Sequence, residues 1–149
     1  MKIIRATKEH LSLIVPLFDS YRAFYKQASD EKKAKSFLEK RLDRDESILF
    51  LALVEGKPAG FIQLFTSFSS VSLESIYILN DLYVNPLFRK NGIGKALLEK
   101  AKEQCSTMNF KGLALETASN NPAQHLYERL GWEKDVECFH YFWTSTNIE

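Results

Sequence analysis

One stretch of this chain limits its possible folds more than any other. From Ile76 to Met108 it runs as an apolar segment, a short turn, a pair of glycines and a long amphipathic segment. The apolar part, Ile76-Tyr77-Ile78-Leu79-Asn80-Asp81-Leu82-Tyr83-Val84, is rich in residues that favour strands. Asn85-Pro86 opens the turn and Arg89-Lys90-Asn91-Gly92-Ile93-Gly94-Lys95 follows. Ile93, Ala96, Leu97, Ala101, Cys105 and Met108 then fall on one helical stripe. A strand that passes through a glycine turn straight into a helix makes a place for a phosphate. The first N–H groups of a helix have no partner inside it and point at whatever lies beyond its end. Glycines let the backbone curl towards an anion without side-chain clash. Arg89, Lys90 and Lys95 add positive charge. The stretch reads as a pyrophosphate holder with the chemistry close by, although a plain tight strand-to-helix turn explains the glycines equally well on their own. The spacing is not that of a Gly-x-Gly-x-x-Gly dinucleotide turn, and it lacks the wider glycines and Lys-Ser/Thr pair of a triphosphatase loop.

The remaining chain can be fitted around this unit. Lys2 to Ala6 is a first or edge strand. Thr7 caps a helix with apolar positions at Leu11, Ile14, Val15, Leu17, Phe18, Tyr21, Phe24 and Tyr25, and Pro16 is placed to kink it. The aromatic end, with Tyr21, Phe24 and Tyr25, either packs into the core or lines a substrate pocket. Asp30 caps a second helix reaching about Leu42. Ser47 to Val54 and Ala59 to Thr66 flank Glu55-Gly56-Lys57-Pro58 as a hairpin, and Ser67 to Ser70 is a turn or a bulged continuation. Val71 to Val84 returns as the third strand of an antiparallel meander. Lys111 to Thr117 is a strand parallel to the one before the glycine turn, because a helix joins them. Asn120-Asn121-Pro122 starts a short helix that Gly131 ends. Trp132 onward, through Phe139-His140-Tyr141-Phe142-Trp143, reads as one or two closing strands, with an aromatic density that suits a core or a dimer interface.

Composition excludes more than it identifies. A chain of 149 residues suits one domain, here 1–149. A net charge of +1 leaves no field of one sign to recruit nucleic acid or an anionic membrane. No apolar run is long enough to span a bilayer, and the N-terminus has no signal core. Cys105 and Cys138 have no metal or redox spacing, and Cys105 falls on a helix stripe where a buried structural thiol belongs. The default expectation is a cytoplasmic protein without a metal.

Thirty residues beyond the glycine turn stands Asn120-Asn121-Pro122-Ala123-Gln124-His125-Leu126-Tyr127-Glu128-Arg129-Leu130-Gly131-Trp132. With both motifs in hand, the chain resembles the GNAT superfamily of acyl-CoA-dependent N-acetyltransferases. Arg89-x-x-Gly92-x-Gly94 resembles that family's pyrophosphate loop, and Asn120 to Trp132 its second signature. The Phe65–Leu82 region also resembles a subgroup related to yeast enzymes that acetylate histones and polyamines. The resemblance implies an α/β (α+β) GNAT fold. Its mixed central sheet would have six to seven strands, mostly antiparallel with one splayed parallel pair, flanked by about four helices. It implies acetyl-CoA as cosubstrate. Leu82, Tyr83 and Val84 would offer backbone to the pantetheine arm. Arg89, Lys90, Asn91, Gly92, Ile93, Gly94 and Lys95 would hold the pyrophosphate, with Asn120 and Tyr127 completing the coenzyme site. It further implies a small amine, polyamine or lysine side chain as acceptor, and a homodimer through the C-terminal strands.

The reaction makes its own demands. A lysine-type amine has a pKa of roughly 10.4 and must lose a proton before it attacks the thioester. The oxyanion that forms wants a donor, and the leaving thiolate wants a proton. Tyr127 matches the family's general acid, and a packed helix aromatic is the plainer alternative. Many members carry a Glu where this chain has Asn80, which cannot take a proton. Asp81 stands beside it on the opposite face of the strand. A carboxyl inside an apolar strand must be paired, hydrated or functional. Asp81 is therefore a structural hydrogen-bond partner, a substrate ammonium binder or the base, and a water polarised by Asn80 is a further route. A non-catalytic acyl-CoA sensor and an acetyltransferase of protein N-termini are the competing functions.

Overall fold

A computed structural model describes residues 1–145 of the chain. The residues fall into two compact units, Met1–Glu116 and Thr117–Glu149. The first unit is a five-stranded sheet with helices on both faces. Its strands are β1 (Lys2–Arg5), β2 (Ser47–Val54), β3 (Lys57–Ser69), β4 (Glu74–Val84) and β5 (Leu113–Ala114), ordered β1-β2-β3-β4-β5. The first four pair antiparallel, and β5 lies parallel to β4.

The hairpin falls where Glu55 and Gly56, both at positive φ, turn the chain between β2 and β3. Its second strand is longer than its apolar core: β3 runs on to Ser69, so Ser67 to Ser69 continue the strand. β3 is the centre of the sheet and its residues Ala59 to Leu64 are buried without a break, as expected of a strand covered on both faces.

α1 (Leu11–Phe24) and α2 (Glu31–Asp43) cover one face. Leu11, Ile14, Val15, Leu17 and Phe18 of α1 and Ala34 and Leu38 of α2 meet Leu49, Leu51 and Phe61 in one cluster. Thr7 caps a short 3-10 turn with a capping box completed by His10, and that turn leads into α1. Asp30 caps α2 by accepting from the Lys33 N–H. Pro16 sits on the exposed side of an unbroken α1.

α3 (Ile93–Thr107) covers the other face and buries Ile93, Leu97, Leu98, Ala101 and Cys105. Its seat is Gly60. A Cβ there would stand 2.8 Å from the Tyr83 carbonyl and 3.3 Å from the Ile93 side chain, so only glycine lets the start of α3 lie this close to the sheet. Cys105 is buried as its place on the stripe predicts, and burial pushes its thiol pKa up.

The second unit contains α4 (Ala123–Arg129), ended by Gly131 at φ +90°. The six to seven expected strands are corrected here to five. Residues 132–145 form no strand, and Phe139, Tyr141, Phe142 and Trp143 are all at least 80% exposed. The strand reading rested on side-chain type alone, and a strand forms only beside an edge that pairs with it. Their aromatic density is therefore not core. The strand expected from Lys111 to Thr117 also shortens to Leu113–Ala114.

Candidate active site

The site grows from the point where β4 loses one neighbour. β4 keeps β3 along its whole length, but β5 pairs with it only at Tyr77 and Ile78. From Leu79 to Val84 the β5-side edge of β4 has no strand beside it among the described residues. The resemblance implies a parallel pair that splays here; in the structure β5 ends at Ala114 and β4 runs on past it. Leu82, Tyr83 and Val84, assigned to coenzyme backbone contacts, lie on this open stretch.

The open edge runs directly into the cationic turn. Asn85 caps a 3-10 turn (Pro86–Phe88) by accepting from the Leu87 N–H. Lys90 and Gly92 both take left-handed backbone, at φ 65° and 76°, which curls the chain twice within three residues. Asn91 braces the curl by donating through its amide to the Phe88 and Arg89 carbonyls. Gly92 is then the N-cap of α3 and has no side chain to satisfy the first-turn N–H groups of Ile93, Gly94 and Lys95. Those donors, with exposed Arg89, Lys90 and Lys95, form a cationic helix start suited to an anion. Arg89 is held in place: its Nε donates to the Val84 carbonyl at 3.0 Å, and its guanidinium lies 5.7 Å from the Tyr83 ring centre.

Behind the edge lies a buried carboxyl. The β3–β4 register slips between Gln63 and Leu64: Gln63 faces Asp81, Leu64 faces Leu79, and Asn80 is the extra residue of a bulge. The bulge leaves Asn80 exposed and turns Asp81 inward to 4% exposure. Gln63 donates through Nε2 to Asp81 Oδ2, and Asn80 donates through Nδ2 to Oδ1 at 3.1 Å. The Tyr21 hydroxyl, from α1, donates to the Asn80 carbonyl at 3.3 Å and also bonds to the Asp81 side chain. Burial raises the Asp81 pKa above the ordinary carboxylate value, and the bonds from Gln63, Tyr21 and Asn80 oppose that rise only in part.

Aromatic rings join the two places. Tyr21 lies 6.1 Å from Tyr83 and 5.1 Å from Tyr25, and Phe24 lies 5.2 Å from Tyr25. Phe24 and Tyr25 are exposed, whereas Tyr21 is half-buried against Phe18 and Phe61. The structure thus brings Tyr21, Tyr25, Asn80, Asp81, Tyr83 and Arg89 into one continuous array.

Asn120 and Tyr127 belong to the second unit. Asn120 is exposed, and its neighbour Asn121 accepts from the Ala123 N–H at 2.9 Å just ahead of α4. The Tyr127 ring lies 5.9 Å from that of Trp132.

Gln63 is the residue the sequence reading overlooked. Its signal was there: it is the lone polar side chain in Ala59-Gly60-Phe61-Ile62-Gln63-Leu64, and a polar group in a doubly covered strand needs a partner.

Comparison with known proteins points one way. The model of the acetyltransferase (GNAT) family matches residues 14–132. An uncharacterized N-acetyltransferase of Bacillus subtilis, YhfO, is 44% identical over 142 residues, covering 95% of each chain. A probable acetyltransferase of Haemophilus influenzae is 31% identical over 86% of this chain and 97% of its own. The crystal structure of a probable acetyltransferase, 39% identical, superposes with a TM-score of 0.92 over 99% of this chain and all of the other.

Proposed function

The chain belongs to the acetyltransferase (GNAT) family, and from that premise we propose that it moves the acetyl group of acetyl-CoA to a primary amine by direct attack. The single observation that carries this reading is the open edge of β4. It leaves Leu82–Val84 with no strand on the β5 side and ends in the cationic turn at Arg89–Lys95. An extended amide-bearing arm suits the first, and a pyrophosphate suits the second. Both units, 1–149, act as one catalytic domain in this reading, which the family match across 14–132 supports.

The chain's own residues then have distinct tasks. Arg89, Lys90, Asn91, Gly92, Ile93, Gly94 and Lys95 hold the diphosphate. Asp81 receives the proton that the amine must lose, and burial helps by narrowing the gap between its pKa and that of the amine. Asn80 supplies an exposed amide at the edge. Tyr127, matched to the family's acid by its place in the second motif, protonates the departing thiolate, and Asn120 supports the coenzyme.

The acceptor is a small amine, polyamine or lysine side chain. A streptothricin acetyltransferase of Bacillus subtilis is 30% identical over 72% of this chain and 58% of its own. A thialysine N-epsilon-acetyltransferase of Caenorhabditis elegans is 24% identical over 68% of this chain. Their names support an amine acceptor. Tyr21, Phe24 and Tyr25 flank its path in this reading. The exposed aromatics from Phe139 to Trp143 would pair with a second copy. The place of work in this reading is the cytoplasm; among the described residues no helix is long and apolar enough to cross a membrane.

The test is CoA-thiol release from acetyl-CoA with a panel of polyamines, lysine derivatives, lysine-bearing peptides and lysine-blocked peptides with free N-termini. Turnover with a primary amine is the expected result. Acetyl-CoA binding with no amine-dependent release would make the chain a sensor, and activity confined to peptide N-termini would move it to that class.

A further inference from the structure

Asp81 poses a problem of access. It is 4% exposed, so an ammonium arriving at the open edge cannot touch its carboxyl without displacing neighbours. Three side chains bond to it: Gln63, Asn80 and Tyr21. Gln63 and Asn80 do so through amides, which hold a carboxylate but do not pass a proton on. Tyr21 does so through a hydroxyl, which can donate one proton while its oxygen accepts another.

The placement of that hydroxyl fits the task. It lies on the Asn80 carbonyl, two residues beyond the last β4–β5 pair, where the open edge begins. Its ring is fixed on four sides by Phe18, Tyr25, Phe61 and Tyr83. The hydroxyl thus has one proton and two acceptors, the Asn80 carbonyl and the Asp81 carboxylate. A hydroxyl that gives its proton to the carboxylate as it takes one from the ammonium stays neutral throughout, so no free phenolate has to form.

We propose that Tyr21 is a catalytic proton relay, taking a proton from the acceptor ammonium while giving its own to Asp81. This rests on the acetyltransferase reading above. The amine nitrogen gives one proton to Tyr21 Oη, and the Tyr21 O–H proton moves to an Asp81 oxygen. The freed lone pair forms the new N–C bond as the C–S bond breaks. The second nitrogen proton balances the one that the thiolate gains, and Asp81 returns its proton to solvent. No oxidant or metal enters the balance.

The experiment compares wild type, Tyr21→Phe, Asp81→Asn and the double variant, using an amine that wild type acetylates. Phenylalanine keeps the ring contacts and removes only the hydroxyl. The relay predicts that Tyr21→Phe lowers kcat by at least about tenfold, with the amine KM and acetyl-CoA affinity within about threefold of wild type. It also predicts that the double variant is no slower than Asp81→Asn alone, because both residues serve one proton path. Fluorotyrosine at position 21, which keeps shape and hydroxyl but lowers the hydroxyl pKa, should change kcat without moving the melting temperature. The relay is overturned by a Tyr21→Phe kcat within about twofold of wild type, by losses that multiply in the double variant, by a defect confined to amine KM, or by a kcat indifferent to fluorination. Those outcomes leave the acetyltransferase reading standing. A wild type that turns over no amine overturns both.

Discussion

Asp19 and Asp81 are both buried carboxylates of the first unit, at 8% and 4% exposure, and the fold treats them in opposite ways. Asp19, in α1, accepts from the Ser29 hydroxyl at 2.6 Å and the Asp30 N–H at 2.8 Å. The Ser29 hydroxyl first, and the Asp30 N–H second, hold its pKa below the ordinary value. It is a fastener that ties the start of α2 to α1. Asp81 sits in a doubly covered part of the sheet with amides and one phenol, and burial wins over their bonds. Burial alone therefore does not mark a functional carboxyl. The balance between desolvation and donors differs between the two, and it leaves Asp81 more willing to hold a proton than Asp19.

The contrast can be broken most sharply at Asp81 itself. Asp81→Asn should lower turnover by about 100-fold or more while acetyl-CoA still binds. Calorimetry and CoA release measure the two halves, and unimpaired turnover would remove Asp81 from the reaction. Folding should not suffer. The Gln63 Oε1 atom is buried with no partner, so its amide can turn to accept from the side-chain amide that the substitution introduces.

Asp19→Asn should do the reverse. Weakening the bonds from Ser29 and Asp30 should cost about 1–2 kcal/mol of stability in a denaturant melt, with turnover per folded molecule retained. A large loss of kcat in the folded variant would end the distinction between the two residues.

A smaller effect is the pH dependence of stability, which carries opposite signs at the two sites. The folded pKa of Asp19 is depressed, so its contribution is present above the ordinary carboxylate value and fades as pH falls through the folded one. The folded pKa of Asp81 is raised, so stability is full below the ordinary value and declines as pH rises through the folded one. Melting curves from pH 3 to 8 should show Asp81→Asn gaining on wild type with rising pH. Asp19→Asn should lose most at neutral pH and converge with wild type in acid.

The sequence exposes these two residues unequally. Asp81 stands out because Ile76 to Val84 is otherwise almost wholly apolar. Asp19 does not, since a polar residue between Phe18 and Tyr21 looks like an ordinary step around a helix, and its partners come from a loop with no periodicity. The glycine turn and the second motif were legible because backbone conformation and helix ends demand particular residues at Gly92 and Gly131. The bulge at Asn80 was not, because it exists only in the register between β3 and β4. The missing closing strands have the same origin: aromatic side chains report a liking for strands, whereas pairing depends on an edge elsewhere.

The claim that joins fold to reaction is that Asp81, and not Asp19, is the carboxyl poised to receive a proton. Carbon-13 NMR of the two labelled side-chain carboxyls, titrated in the folded wild type, tests it directly. The Asp81 signal should titrate above the ordinary aspartate value of about 3.9 and that of Asp19 below it. An Asp81 that titrates at or below that value would contradict the account.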